Sequence, residues 1–500
     1  MHKLLCERFD DLLGLCRTQP EKVALVFNHK VLNFGQFGMR VQAIFDALAD
    51  APEGPVLIHG HKDLDIIPAM VAATFAGRGF AFAEVVYPSS RIKQMNTLCN
   101  IGVILRTNPA ANAQDFPTID TLDLPDTPLR DLHLLETDED ELFYITFTSG
   151  STGVPKGIPT TRACFASFQG WFEPLNTGSK GGSRAHVNHA SMAFDMSMSD
   201  IWTALFAGRT LYLVDHADTL NPRNTLTKIT GIDDTPVGTF TATPAFFAMM
   251  LGDPKFNEKT LPGLSAFWIG GDVVQQPLLR ELKSRFPSCE IHCAYGPSEA
   301  TCVTHSQLLT DADLNTTGPL NLGPARAGCD AMIATSHGLQ PHGKGEVVLL
   351  GDQVATRYLP LDHPNNSKFV NVRGRRAFYT GDIGEIDVDG NLKIFGRSDG
   401  QVKVNGYRIE LGEVERTAQQ VKGVKFAIAL TSQTPTGQDL VLVVSPETPG
   451  HDLSDDVRAH LADKLPPYMV PSRINCEDLM PLTVAGKIDR KQITERLAAI

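Results

Sequence analysis

The chain has 500 residues, of which 42% are hydrophobic and 20% charged. That is ordinary globular composition, too long for one small core, so at least two packing units are expected. Forty-five Lys and Arg against 57 Asp and Glu give a net charge of −12, a poor match for wrapping nucleic acid, whose phosphates require cationic partners.

Nine cysteines (Cys6, Cys16, Cys99, Cys164, Cys289, Cys293, Cys302, Cys329, Cys476) are scattered, with no CxxC pair. This pattern reads as reduced thiols rather than a disulfide or zinc framework. The N-terminus, MHKLLCERFDDLLGL, has acidic residues where a signal peptide needs an apolar run. No stretch approaches the ~20 apolar residues of a membrane span. A soluble, cytoplasmic protein is expected.

In chain order, Val23 to Ile104 alternates apolar runs with helical patterns, such as VQAIFDALA before PVLIHG. From Leu142 to about Leu350 the strand-like runs LFYITFT, TLYLVD, VGTFTA, SAFWI, EIHCAY and EVVLL are separated by amphipathic segments. Strands alternating with helices predict βαβ units and largely parallel sheet, with ligands at the strand C-terminal ends. GEIDVDGNLKIFG reads as a hairpin turning on Asp-Gly. QVKVNGYRI, the helix-like LGEVERTAQQV, two apolar runs, a capped helix from Leu453-Ser454-Asp455 and a terminal helix after Lys487 then suit an α+β unit of about 100 residues. The fold class is α/β: a large N-terminal domain of mixed sheets with flanking helices over residues 1–397, and a small mobile α+β lid over 398–500. The polar, glycine-flanked Gly396-Arg397-Ser398-Asp399-Gly400 divides them.

The densest local signal is Thr148-Ser149-Gly150-Ser151-Thr152-Gly153-Val154-Pro155-Lys156-Gly157, directly after LFYITF. Glycines allow close backbone approach, hydroxyls donate, and one lysine adds charge, a combination suited to phosphate oxygens. It is not a Walker loop, because Gly157 follows Lys156 and GxxxxGK is absent.

Further segments follow in order: Phe194-Asp195-Met196-Ser197; Ala294-Tyr295-Gly296-Pro297-Ser298-Glu299-Ala300-Thr301; Glu346 and Arg357-Tyr358-Leu359; Tyr379-Thr380-Gly381-Asp382; GRSDGQVKVNGYRIELGEVE from Gly396; and PLTVAGKIDRK from Pro481. Together these resemble the core motifs of the adenylate-forming superfamily, over nearly the whole chain. FDMS, AYGPSEAT and PLTVAGKIDRK resemble its amino-acid-activating branch. That branch includes peptide-synthetase adenylation domains and the stand-alone D-alanine–D-alanyl carrier protein ligases, which the length also suits.

The resemblance implies activation of an amino acid with ATP and Mg²⁺ as aminoacyl-AMP. Transfer to the phosphopantetheine thiol of a separate carrier protein would follow, since no GGxS-type serine follows Lys487. An acyl- or aryl-CoA ligase is the alternative.

By the same resemblance, Thr148, Ser149, Gly150, Ser151, Thr152, Gly153 and Lys156 hold the triphosphate. Gly270, Gly271, Asp272, Ala294, Tyr295, Gly296 and Ser298 surround the nucleotide, with Tyr295 against adenine. Asp382 accepts the ribose hydroxyls, Arg397 supports ribose and phosphate, and Glu299 binds Mg²⁺. Lys487 is the catalytic cation, placed near the reacting carboxylate and α-phosphate, where charge builds in the transition state. Asp195 pairs with the substrate ammonium. Met196, Ser199, Thr241, Trp268, Gly270, Ala294, Cys302 and Val303 wall the side-chain pocket, with Trp268 shortening it for a small or medium amino acid. Asp399 is the hinge, and Lys403 and Gly406 border the thiol tunnel.

The sequence departs from the family pattern at Cys293, where asparagine usually meets adenine, at Tyr379, where arginine is frequent, and at Gly270, where the D-alanine ligases carry cysteine. His186 and His189, near FDMS, read as packed or solvent-facing.

Overall fold

The computed structural model describes residues 2–112, 115–134, 140–148, 155–178, 184–215, 221–230, 235–316, 318–398, 401–434, 437–481 and 488–498. The chain divides into two compact units. The larger comprises Met1–Val85, Leu98–Phe147 and Gly157–Ser398; the smaller comprises Val86–Thr97, Thr148–Lys156 and Asp399–Ile500. Among the described residues, no helix is long and apolar enough to cross a membrane.

An eight-stranded sheet organises the larger unit. Its order is His305–Leu308, Glu290–Tyr295, Ala266–Ile269, Val237–Ala242, Ala185–Asn188, Leu211–Leu213, Val23–Phe27 and Lys30–Asn33. The inner pairs are parallel and only the two edge strands run antiparallel. Such strands are covered on both faces, which explains why AFWI and VGTFTA read as unbroken apolar runs and are buried throughout. A six-stranded sheet is built around Val56–Gly60 and Phe80–Glu84, again fully buried.

A third sheet is antiparallel, with Gly343–Gly351 and Arg375–Ile386 at its centre. Its expected hairpin is present between Arg375–Ile386 and Leu392–Arg397. The Asp387 carboxylate closes the turn, accepting from the N–H of Asp389 at 3.0 Å and of Asn391 at 2.8 Å.

The helix Met196–Phe206 is buried at every position from Ser197 onward. Trp202 locks it in place, its ring centroid 5.1 Å from Phe9, 5.6 Å from Phe143 and 5.4 Å from Phe206. This aromatic packing fixes the start of the helix, where Asp195 stands.

In the smaller unit, the strands Gln401–Val404 and Tyr407–Glu410 pair across Asn405-Gly406. Both turn residues have positive φ, 53° and 86°, as a two-residue Asn-Gly hairpin requires. The strands Val424–Thr434, Gly437–Pro446 and Arg473–Cys476 form a mixed sheet covered by the helices Leu411–Ala418 and Ser454–Lys464. The second helix begins at the expected place. Leu453 holds the cap position, and the preceding Asp452 accepts from the Ser454 N–H at 3.0 Å.

Trp202→Ala will destabilise the larger unit by about 3–5 kcal/mol through the cavity it opens. Denaturant unfolding checks this; a loss below about 1 kcal/mol would show that the aromatic cluster does not anchor the helix.

Candidate active site

Asp195 occupies the N-cap position of Met196–Phe206 but makes no side-chain capping bond. Its Oδ2 is buried with no hydrogen-bond partner among the described residues. Burial raises its pKa, and the nearby charge of Glu299 pushes the same way. The Ser298 hydroxyl and the backbone N–H groups of Met196 and Cys302 favour the anion. The site therefore half-solvates a carboxylate and leaves it without a cation, an arrangement that favours a ligand bringing positive charge.

The backbone that presents this N–H is strained. Thr301 and Cys302 both have positive φ, 54° and 65°, costly for a β-branched residue and its neighbour. Buried bonds hold the turn: Thr301 Oγ1 donates to the Gln353 carbonyl at 2.7 Å, and the Val303 N–H bonds Thr301 O at 3.0 Å. Gly296 permits this approach, because a Cβ there would lie 2.2 Å from Cys302 O. Gly271 has φ +85°, and a Cβ there would meet the Met196 methyl at 2.7 Å.

The residues read as side-chain pocket walls differ in burial. Ser199, Thr241, Trp268, Cys302 and Val303 are buried. The Ser199 hydroxyl turns back to its own helix and donates to Met196 O at 2.6 Å. Trp268 stacks on His292 with centroids 4.2 Å apart and planes 6° from parallel, and meets the Phe172 edge at 4.8 Å. A Cβ on Gly270 would stand 3.0 Å from Ala294 O, so the two small residues abut.

A second cluster joins three sequence-distant segments. Tyr295 OH donates to Asp382 Oδ2 at 2.6 Å, and Arg397 Nη1 donates to Oδ1 at 2.7 Å. Burial, then the Asp382 carboxylate, raises the Tyr295 pKa. Gly381 is fixed by a 2.9 Å bond from its N–H to Glu346 Oε1. A carboxylate oxygen accepts more than one hydrogen bond, so Asp382 keeps acceptor capacity for a diol. Glu299 is fully buried and accepts from the Tyr358 hydroxyl.

Cys293 sits in an apolar cluster, its thiol pushed up to about 12 by burial. His186 is fully buried and pushed down to about 3, first by burial and then by Arg209. His189 stacks on Phe246 at 3.6 Å.

In the smaller unit, Lys156 Nζ lies 3.6 Å from Glu410 Oε1, both groups buried. Thr148 is buried, and Lys403 and Gly406 belong to the Gln401–Glu410 hairpin. Ser149, Gly150, Ser151, Thr152, Gly153, Asp399 and Lys487 lie outside the described residues.

Sequence reasoning missed a buried polar group at the end of the strand Ala185–Asn188. Lys62 Nζ donates to the carbonyls of Asn188 at 2.7 Å and His189 at 2.6 Å. Burial pushes this lysine down to about 7 against the pull of Glu84, Asp200 and Asp215. Asp200 accepts from Asn188 Nδ2 at 3.4 Å and is pushed up to about 8 by burial. Asp200 had a legible signal: an acid five residues after Asp195 on an otherwise apolar helix. Lys62 had none, because its partners are more than 120 residues away.

The AMP-binding enzyme model matches residues 15–359, and the AMP-binding enzyme C-terminal domain matches 413–487. The chain belongs to the AMP-binding enzyme family. It is 31% identical to a D-alanine--D-alanyl carrier protein ligase of Bacillus licheniformis, over 96% of this chain and 97% of that one. A ligase of the same name from Staphylococcus epidermidis is 30% identical, over 95% and 96%. A solved NRPS protein containing adenylation and PCP domains superposes with a TM-score of 0.83 at 25% identity, covering 98% of this chain and 84% of the other. The adenylate-forming resemblance read from the motifs is thereby established, as is the mixed α/β architecture.

The raised Asp200 pKa has a signed consequence. Between pH 5 and 7 the folded carboxyl keeps a proton that the unfolded one has lost, so stability falls as pH rises. Asp200→Asn removes this contribution. Over that interval the wild-type melting temperature will drop more than that of the variant; equal slopes would show that Asp200 is ionised in the fold.

Proposed function

We propose that this chain is an ATP-dependent acid–thiol ligase that activates an amino acid as aminoacyl-AMP and passes it to the phosphopantetheine thiol of a separate carrier protein. The carrying observation is Asp195, a half-buried residue whose carboxylate Oδ2 is buried with no hydrogen-bond partner among the described residues. A fatty or aryl acid offers it nothing, whereas an α-ammonium completes an ion pair. The D-alanine--D-alanyl carrier protein ligases that resemble the whole chain support the same reading.

In this reading Asp195 orients the amino acid by its ammonium, so that its carboxylate faces the nucleotide. Tyr295 stacks on adenine, and the Asp382–Arg397 pair grips the ribose. The 148–156 segment donates to the phosphates. A Mg²⁺ ion, when bound, screens phosphate charge. The all-oxygen chemistry of Glu299 fits it, because Mg²⁺ takes one or two carboxylates and completes its shell with phosphate and water. Lys487 offsets the negative charge that builds as carboxylate attacks the α-phosphate, and so acts mainly in the transition state. Asp399 is the hinge on which the lid, residues 398–500, turns to exchange Lys487 for the Lys403–Gly406 hairpin, opening the path for the thiol.

The test is amino-acid-dependent exchange of pyrophosphate into ATP, with a panel of both enantiomers. Asp195→Ala will raise the amino-acid KM by about 100-fold or more, as expected for an unpaired buried charge. Lys487→Ala will cut kcat by about 100- to 1,000-fold with little change in the KM for ATP. Exchange with fatty or aryl acids and none with amino acids, together with coenzyme A consumption in the absence of carrier protein, would overturn the proposal in favour of an acyl-CoA ligase.

A further inference from the structure

A set of buried polar side chains lies on and against the eight-stranded sheet. Parallel pairing sets three side chains in one row on the same face of the eight-stranded sheet: Asn188 opposite Thr241, and Thr241 opposite Trp268. Asp200 faces this row from the helix Met196–Phe206, bonded to Asn188. All four are more than nine-tenths buried, with exposures of 0% for Asn188, 6% for Thr241, 1% for Trp268 and 1% for Asp200.

Each also keeps an unused polar atom. Asn188 Oδ1, Thr241 Oγ1, Trp268 Nε1 and Asp200 Oδ1 have no hydrogen-bond partner among the described residues. The Thr241 hydroxyl lies close enough to favour the Asp200 anion, yet the two do not reach hydrogen-bond geometry. Cys302 ties this set to the ammonium site, since it feels the charge of both Asp195 and Asp200. Trp268, Cys302 and Val303 also belong to one packed cluster.

Native interiors leave few such groups, because each orphaned buried donor or acceptor is destabilising. Four together, three in the row and Asp200 facing it, mark a place where a ligand supplies the partners. The unused atoms constrain it. Trp268 Nε1 only donates, so the ligand must accept. Asn188 Oδ1 only accepts, so the ligand must also donate. A methyl or branched alkyl group satisfies none of them. A carboxylate only accepts and would leave Asn188 Oδ1 unmet, and an ammonium only donates and would leave Trp268 Nε1 unmet.

We infer that the pocket selects an amino acid whose short side chain is neutral and both donates and accepts: a hydroxyl, as in serine and threonine, or a carboxamide, as in asparagine. Trp268 and Thr241 are the specificity-determining contacts, with Asp200 and Asn188 beside them. This inference rests on the proposed amino-acid adenylation and departs from the alanine in the names of the relatives.

The experiment is pyrophosphate exchange with both enantiomers of serine, threonine, asparagine, alanine, valine and aspartate, on the wild type and on Trp268→Phe and Thr241→Val. Thr241→Val keeps the shape and deletes one hydroxyl, whereas Trp268→Phe deletes the indole N–H together with part of the ring. In the wild type, the best of the hydroxyl and carboxamide substrates will exceed alanine in kcat/KM by about 100-fold or more, because a site built to hydrogen-bond a substrate group strongly rejects the analogue lacking it. Each variant will reduce that ratio by about 10-fold, a typical price of one unpaired polar contact. The serine, threonine and asparagine arms distinguish hydroxyl from carboxamide. If alanine, valine or aspartate is preferred by the wild type, the inference is overturned while amino-acid adenylation stands. If no amino acid supports exchange, both fall. Should a variant fail to fold, the wild-type panel alone decides.

Discussion

The site depends on one electrostatic imbalance. At the start of a deeply buried helix, Asp195 keeps a carboxylate oxygen with no partner among the described residues, and burial raises its pKa. Removing a carboxylate from water is costly unless a cation meets it. The surrounding chain sets this situation up. Trp202 and its aromatic neighbours pin the helix, the strained turn at Thr301 and Cys302 aims a backbone N–H at the carboxylate, and glycine at 296 makes room for that turn. Nothing among the described residues offers Asp195 a matching positive charge; its electrostatic neighbours include another acid, Glu299.

Two further constructions share this sheet architecture. The Tyr295–Asp382–Arg397 cluster brings together residues up to 102 positions apart, with an antiparallel sheet holding Asp382 in register opposite Arg397. The other is the Lys62 anchor, whose ammonium binds two consecutive carbonyls where the strand Ala185–Asn188 gives way to the loop before Asp195. It fixes the backbone there, as the aromatic cluster fixes the helix.

Much of this was legible in the sequence, for specific reasons. Parallel buried strands produce unbroken apolar runs, so the sheet strands could be read directly. Asp389-Gly390 announced its turn, with Gly390 taking a left-handed φ of 85°. Asp195 stood out because FDMS resembles a motif of the amino-acid-activating branch. What could not be read are relations that exist only in three dimensions. Lys62 has no local motif, and the row of Asn188, Thr241 and Trp268 arises from strand pairing. The positive φ of Thr301 and Cys302 contradicts local preference, so no propensity argument reaches it. Cys293 looked like a weakened adenine contact; the structure places its thiol in an apolar cluster.

The most direct measurement of the central claim compares kcat/KM for adenylation of the preferred amino acid with that for its des-amino analogue, which is identical except for the ammonium. The account predicts a loss of about 100- to 1,000-fold on removing the ammonium, the scale of a broken buried ion pair, and near-equality of the two substrates in Asp195→Ala. Equal rates with both substrates in the wild type would contradict it.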